Sequence, residues 1–479
     1  MNLLILCPDQ LRADYLSCYG HPTIATRNID QLAAEGVRFE KAYCAAPLCG
    51  PSRISFVTST RFSEHNHRNY GSTIDYRVPN LVRCLKEAGY RTAMFGKNHC
   101  FTYEQLPHIW DELHEICLGN YDKHPKYQRS FDAFPLEQDH EYNITGLLAD
   151  EAISFIRRQG DKPWLCWVNW QDPHPAFTCP EPYFSMFDRS SIEIPTGYRE
   201  AAAKNKPRRL KNWQVNSLAQ DATDDEIRNA IAAYMGQVRY VDDSVGRILD
   251  ALEETGQSND TLVVFFADHG ELLGDQGAFH KLGVFYECLT RIPVIIRHPY
   301  REYKGIFQGL VEEVDLAPTI LDALGIPKPP TFVGESLHQK LLEGKLGKEH
   351  GRPTALVETG LQAPTWPTPV GYNQKAPFAP NNFGPGAMLT DGRFKLSIYY
   401  DDVCELYDLE YDPRELENRF DDPRLKHVRD QLTLELCKRL MGIGVRDIGR
   451  IDWPEPDGDP RDTPIEVIAL RRPMKGKHT

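Results

Sequence analysis

No stretch of this 479-residue chain reaches the roughly 18 consecutive apolar residues of a membrane-spanning helix, so the sequence predicts no transmembrane segment. The opening Met1-Asn2-Leu3-Leu4-Ile5-Leu6-Cys7 carries no basic flank and is too short for a signal-peptide core. A cytoplasmic location is the expectation. Positive charge is also short: 55 Lys and Arg stand against 68 Asp and Glu, a formal net charge of -13. That disfavours a nucleic-acid partner, because binders of polyanions present a basic surface. A small anionic substrate stays open, since a local cationic pocket can hold one inside an acidic protein. The 12 cysteines run from Cys7 to Cys437 without a CxxC pair or regular Cys/His spacing, which argues for neither a zinc finger nor a disulfide framework. No internal repeat is visible.

What is present is an ordinary globular composition, 41% apolar and 26% charged, in a chain long enough for one large domain and a smaller one. Four short apolar runs each end in a polar cluster. Leu3–Leu6 leads to Pro8-Asp9-Gln10, and Arg91–Phe95 to Gly96-Lys97-Asn98-His99. Trp164–Val168 leads to Asp172-Pro173-His174, and Thr261–Phe266 to Asp268-His269-Gly270. Continuous apolar runs without alternation predict strands buried on both faces of a parallel sheet. Between them, Ile29–Glu35, Val82–Ala88, Leu147–Arg158 and Ile227–Glu254 show the three- and four-residue apolar steps of helices. The pattern predicts an α/β fold, a large mixed, mostly parallel sheet sandwiched by helices. Ligands in such sheets bind just beyond the carboxyl ends of the strands, where all four clusters fall.

The later part changes character. Pro364, Pro367, Pro369, Pro377, Pro380 and Pro385 crowd a stretch without helical period, as in a lid or substrate loop. Short strands over Arg393–Tyr399 and Val403–Leu409 and an amphipathic helix over Lys426–Leu440 predict a smaller α+β unit. The expected organisation is a catalytic domain over 1–359, the Pro-rich loop 360–386, a small α+β subdomain 387–441 and an extended tail 442–479. The tail is the candidate surface for a homo-oligomer.

The run Leu48-Cys49-Gly50-Pro51-Ser52-Arg53-Ile54-Ser55-Phe56 predicts the start of a short buried helix, since Pro51 suits a first helical position. Cys49 then lies at the N-terminal mouth, where free amides and the helix dipole favour an anion. Such a cysteine is either a low-pKa nucleophile or a small buried hydrophobe. Cys49-Gly50-Pro51-Ser52-Arg53 resembles the C-x-P-S-R motif of type I sulfatases, members of the alkaline phosphatase superfamily. The resemblance implies an alkaline phosphatase-like fold and a Cys49 oxidised to formylglycine by a formylglycine-generating enzyme. Thr58 stands where the extended motif has its threonine, and Ser59 replaces the usual glycine. Val314–Leu321 and Glu405–Leu409 resemble further family segments, so the likeness runs over about residues 2–440 in family order.

A hard divalent cation needs several oxygen ligands, mostly carboxylates and amides. Asp9 and Gln10 after one strand, with Asp268 and His269 after another, supply such a set once the strands lie side by side. The family's metal site is similar, with residue 49 completing the shell. The resemblance therefore implies one divalent metal, Ca2+ first with Mn2+ or Mg2+ as alternatives, held by Asp9, Gln10, Cys49, Asp268 and His269. Gln10 stands where many members have a second Asp, which lowers the negative charge of the site. Lys97 and His99 resemble the family's G-K-x-H element, His174 its P-H element, and Lys281 its second active-site lysine. By that likeness His174 and Lys281 protonate or stabilise the leaving oxygen, and His99 deprotonates the second hydroxyl of the hydrated aldehyde. Arg53 and Lys97 anchor the nucleophile and the sulfate oxygens. His280 is either pocket-facing or a surface histidine.

Phosphonate monoester and phosphodiester hydrolases share the fold, the formylglycine and the Asp-Gln/Asp-His pattern; Lys97 and His99 favour a sulfatase. A non-catalytic glycan-binding protein would be expected to lose ligands or nucleophile, and every key position is intact. The implied substrate is a sulfated small molecule or glycan, a carbohydrate sulfate for preference. Trp366, Tyr372 and Phe383 are candidates to stack on a sugar or aryl ring, and His65 and His67 to line the entrance. The basic run Lys204, Lys206, Arg208, Arg209, Lys211 reads as a solvated loop, with attraction for a polysulfated glycan as the alternative.

Overall fold

The structure, a computed structural model, describes residues 1–68, 72–116, 126–136, 143–199, 205–281, 283–360 and 384–442. The stacking candidates Trp366, Tyr372 and Phe383, Lys204, and the tail beyond 442 lie outside the described residues. The main sheet contains β1 (Asn2–Asp9), β2 (Val37–Tyr43), β3 (Arg91–Gly96), β4 (Glu112–Glu115) and β5 (Trp164–Pro173). It is completed by β6 (Thr261–Phe266), β7 (Arg291–Ile292), β8 (Val294–Arg297) and β9 (Gly305–Glu312). Their order is β4-β3-β5-β1-β6-β8-β2-β7, with β9 also paired to β2. The run β4-β3-β5-β1-β6 is parallel throughout, and β8 pairs antiparallel with both β6 and β2. The sheet is therefore mixed and mostly parallel, as expected.

Burial explains the apolar runs. In β1 every residue is buried, and Leu3, Ile5 and Cys7 belong to one apolar cluster while Leu4 and Leu6 belong to another. Successive side chains point to opposite faces, so both faces of the sheet are covered. One layer brings Ile54, Phe56 and Val57 of the Cys49–Thr58 helix together with Leu81, Val82, Leu85, Leu316 and Ile320. The other brings Ile29 and Leu32 together with the helix Ile144–Arg157 and the 31-residue helix Asp224–Glu254. The long helix starts where Thr223 and Glu226 cap each other's backbone N–H groups. Each fully buried Leu, Ile or Phe contributes about 1.5–3 kcal/mol, and that burial, not local propensity, fixes the layers. Among the described residues no helix is long and apolar enough to cross a membrane.

A second, antiparallel sheet has the order β10-β11-β12-β13, from Ala355–Thr359, Gly386–Thr390, Phe394–Tyr399 and Glu405–Asp408. Its first strand precedes the Pro-rich segment, and the helix Lys426–Met441 packs on it through Leu432 and Leu436.

The basic run is not a uniformly solvated loop. Lys206 and Arg209 are only 3% and 4% exposed, because each finds partners in the small subdomain. Lys206 Nζ donates to Tyr407 Oη at 2.9 Å and to the Glu415 carbonyl at 2.6 Å. The Arg209 guanidinium pairs with Asp401 and Asp402 and lies 4.2 Å over the Tyr399 ring. A long cationic side chain is buried only when it is paired in this way.

Candidate active site

Parallel neighbours place their carboxyl ends on one edge, and the order β3-β5-β1-β6 gathers four polar clusters there. Asp9 ends β1 and Gln10 follows it in left-handed backbone, φ 66°. Lys97 and His99 follow β3, His174 follows β5, and Asp268 and His269 follow β6. Two glycines allow the close approach. A Cβ on Gly96 would lie 2.0 Å from the Asn169 carbonyl, and one on Gly270 would lie 1.9 Å from that of Cys288.

Cys49 opens the Cys49–Thr58 helix, all ten residues of which are buried. Its Sγ lies 3.1 Å from His269 Nε2, 3.6 Å from Asp9 Oδ1 and 3.6 Å from Lys97 Nζ. Burial and the Asp9 carboxylate push this thiol up, but Lys281, Lys97 and His269 outweigh them and hold it below its ordinary value. Burial likewise opposes ionisation of Asp9, and Lys97 first among several cations pulls it well below the carboxylate range. The helix ends at Ser59 in left-handed backbone, φ 47°, which is why a glycine suits that place. The serine offsets the strain by donating to the Val314 carbonyl at 2.6 Å and accepting the Gly334 N–H at 3.0 Å.

One carboxylate oxygen of Asp9 and one of Asp268, with Cys49 Sγ and His269 Nε2, all lie within 4.8 Å of one another. The remaining oxygens are turned to cations: Lys97 Nζ donates to Asp9 Oδ2, and Arg53 Nε donates to Asp268 Oδ2 at 2.8 Å. His269 Nδ1 donates to the Gly270 carbonyl at 2.8 Å, so a neutral ring turns a bare Nε2 to the cluster. Burial opposes a positive charge there, yet Asp268 and Cys49 raise the His269 pKa above its ordinary value. The surroundings thus draw positive charge to that nitrogen, as a proton or as a metal ion. Two carboxylates, a correctly oriented imidazole and an amide side chain fit a divalent cation.

Arg53 is fully buried and its donors go to the ligand set and its frame: Asp268, Asp9 Oδ2 at 3.4 Å, Asn169 Oδ1 at 2.7 Å and the Lys97 carbonyl at 3.3 Å. His99 is held well below its ordinary pKa by burial and then by Lys97, and His174 by burial and then by Lys281. Both are neutral near pH 7. His174 Nδ1 donates to the Pro175 carbonyl at 2.6 Å, which leaves a bare Nε2. Lys281 Nζ donates to Gln10 Oε1 at 2.5 Å. His280 is buried, not on the surface: its ring meets His174 edge-on at 6.0 Å and Tyr127 Oη at 3.2 Å. His65 is tied to the helix and to its own loop, its Nδ1 accepting the His67 N–H at 3.0 Å and its Nε2 meeting Ser55 Oγ at 3.0 Å. Burial lowers its pKa to about 3.

Three sets of contacts around the site were not foreseen from sequence. Asn169 holds Arg53. Ser52 Oγ lies 2.6 Å from the Asp268 carbonyl and 2.7 Å from Glu313 Oε1. One hydroxyl has one proton, and a carbonyl only accepts. Glu313 must therefore be the protonated partner, donating to Ser52, while its other oxygen accepts the Ala45 N–H at 2.8 Å. Burial pushes the Glu313 carboxyl well up, in agreement. Third, the helix Arg208–Asn216 grips the loop that carries Lys281. Trp213 Nε1 donates to the Phe279 carbonyl at 2.7 Å, Gln214 Nε2 to that of Gln276 at 2.7 Å, and Arg209 Nη1 to that of Gly283 at 3.0 Å. From the other side Gln276 Nε2 donates to the Arg414 and Glu415 carbonyls.

A buried sulfur among carboxylates and lysines on this edge of this sheet places the molecule with the alkaline phosphatase-like hydrolases. A family model described as Sulfatase matches residues 1–326. The chain is 27% identical over 479 residues to an arylsulfatase of Clostridium perfringens (strain 13 / Type A), covering 92% of this chain and 94% of that one. It is 26% identical over 479 residues to the N-acetylglucosamine-6-O-sulfatase of Bacteroides thetaiotaomicron, covering 88% and 82%. Among solved structures, the phosphonate monoester hydrolase SpPMH from Silicibacter pomeroyi aligns with a TM-score of 0.77 at 26% identity, covering 92% of this chain and 95% of that one. The chain belongs to the sulfatase family.

Proposed function

We propose that the protein hydrolyses sulfate esters of small carbohydrates or aryl alcohols, with Cys49 matured to formylglycine and Ca2+ as the divalent ion. The observation that carries this reading is the meeting of Cys49 with Asp9, Asp268 and His269, ringed by Lys97, His99, His174 and Lys281. The hydrated aldehyde supplies two hydroxyls, one to attack sulfur and one whose deprotonation expels sulfate. Asp9, Gln10, Asp268, His269 and residue 49 would hold the cation, which supplies charge stabilisation to the nucleophile and to the sulfate oxygens.

The rest is the work of this chain's own groups. Lys97 and Lys281 meet the charge that develops on the equatorial oxygens. Arg53 keeps both metal carboxylates turned inward. His99, neutral and buried, is in the state to take a proton from residue 49. His174 presents a bare Nε2, so it can give a proton to the leaving oxygen only after gaining one, which an anionic substrate favours and Lys281 opposes. Lys281 is then the group ready to stabilise that oxygen directly.

A second reading, phosphonate monoester hydrolysis, is favoured by Gln10 and by the alignment with SpPMH. The test is to co-express the chain with a formylglycine-generating enzyme, weigh the Cys49 peptide and assay an aryl sulfate against a phenyl phosphonate. A loss of about 18 Da with faster sulfate release supports the sulfatase reading. Faster phosphonate cleavage supports the second, and an unmodified, inactive Cys49 overturns both.

A further inference from the structure

Glu271 lies just past Asp268-His269-Gly270, is fully buried, and has no part in the steps above. Its carboxylate is surrounded by donors. Oε2 accepts from Gln10 Nε2, and Oε1 accepts the Leu273 N–H at 2.9 Å and the His280 N–H. Burial pushes this carboxyl up, while the three donors and Lys281 pull it back. One oxygen is thus spent on a side-chain amide in the ligand set, and the other on the main chain immediately before Lys281.

The amide of Gln10 has two ends of similar size, and its orientation depends on its neighbours. On one side stands the acceptor-only carboxylate of Glu271. On the other stands the donor-only ammonium of Lys281, 2.5 Å from Oε1. A flipped amide would set acceptor against acceptor and donor against donor. The Gln10 backbone is held too, its N–H by Asp268 Oδ1 at 3.0 Å and its carbonyl by Tyr234 Oη at 2.9 Å. Only the side-chain rotation is left, and Glu271 and Lys281 set it from opposite sides.

We propose that Glu271 is a positioning residue, which turns the Gln10 amide so that oxygen and not nitrogen faces the metal ligands, and which pins the main chain of Lys281 through His280. The proposal rests on the metal-site reading of Asp9, Gln10, Asp268 and His269. A carboxylate at position 10 offers two equivalent oxygens and has no such need, so Gln10 and Glu271 form one unit.

The unit can be tested by exchange. In Glu271→Gln the new amide oxygen still takes the Leu273 and His280 N–H groups, so its nitrogen faces Gln10 and forces the Gln10 amide to flip. In Gln10→Glu two buried carboxylates face each other. In Gln10→Glu/Glu271→Gln the donor–acceptor pairing is restored with its direction reversed. Ca2+ is titrated calorimetrically into each chelator-treated protein after co-expression with a formylglycine-generating enzyme, so that residue 49 is kept in the ligand set, with melting temperature recorded alongside. Each single variant is expected to bind Ca2+ at least tenfold more weakly, and the double variant to return to within about threefold of the parent. Equal affinity of parent and Glu271→Gln, or losses that simply add in the double variant, would overturn the proposal and leave the metal site standing. A parent that takes up no Ca2+, Mn2+ or Mg2+ would overturn the metal reading itself, and this one with it. If a single variant fails to fold, the double still decides: a folded double with restored affinity supports the pairing, and one that binds no better than tenfold below the parent refutes it.

Discussion

Replacing Glu313 by glutamine should leave the site standing, and replacing it by alanine should not. In the native state its carboxyl donates to Ser52 and accepts from Ala45, and a glutamine amide reproduces both with nitrogen in place of the protonated oxygen. Alanine leaves the Ala45 N–H and the Ser52 hydroxyl short of a partner, at roughly 1–3 kcal/mol for each buried group, so about 2–6 kcal/mol is expected before the cavity adds its own cost. The pH dependence separates the two roles further. The folded pKa of Glu313 is raised, so its contribution is fully present below the unfolded carboxyl value, about 4.3, and is lost as pH rises towards the folded value. The slope is about 1.36 kcal/mol per pH unit while the native group keeps its proton. Glu313→Gln has no such titration. Its stability relative to the parent should therefore improve by up to about 2.7 kcal/mol between pH 5 and pH 7. Urea unfolding of parent and both variants at pH 5, 6 and 7 reads this directly. A parent-to-glutamine difference that stays flat with pH, or a glutamine variant as unstable as the alanine one, would refute the proton assignment.

The remaining expectations concern the chemistry and its support. Lys97→Ala removes the chief cation that holds Asp9 down, so the acid limb of Ca2+ binding should move to higher pH; an unmoved limb would count against that role. His99→Ala should lower kcat by about 10²–10⁴-fold and let a sulfated enzyme accumulate, visible as added mass at residue 49. His174→Gln should slow alkyl sulfates more than activated aryl sulfates, because only a poor leaving group needs help; equal losses would remove His174 from that step. Arg209→Met takes a charge from between Asp401, Asp402 and the Gly283 carbonyl and should destabilise by about 3–5 kcal/mol. Thermal melting measures it, and a change under 1 kcal/mol would show the pairing to be idle.

The central strands were legible because burial on both faces writes itself as an unbroken apolar run, and β1, β3, β5 and β6 fall where such runs predict them. β2 and β9 escaped notice for the opposite reason: their burial is interrupted, with Glu40 and Lys41 inside β2 and an exposed Ile306 in β9. Residues at strand ends could be named singly, since a polar cluster after an apolar run is a local signal. What surrounds them could not. Ser52 and Glu313 are 261 positions apart, and Gln10 and Glu271 likewise, so nothing local in sequence marks either pair. The basic run misled for a related reason: whether Lys206 and Arg209 are solvated depends on Glu415, Asp401 and Asp402, between 192 and 209 residues away.

The grip on the Lys281 loop has a consequence for where this enzyme ends. The family match stops at 326, yet the carbonyls of Arg414 and Glu415 and the acids Asp401 and Asp402 steady that loop from beyond it. A graft that exchanged the small subdomain between relatives would change no residue that touches the reacting atoms. It would still reset the footing of the lysine beside them. Variation beyond the family match is thus a route by which catalytic rate can drift while every motif stays in place.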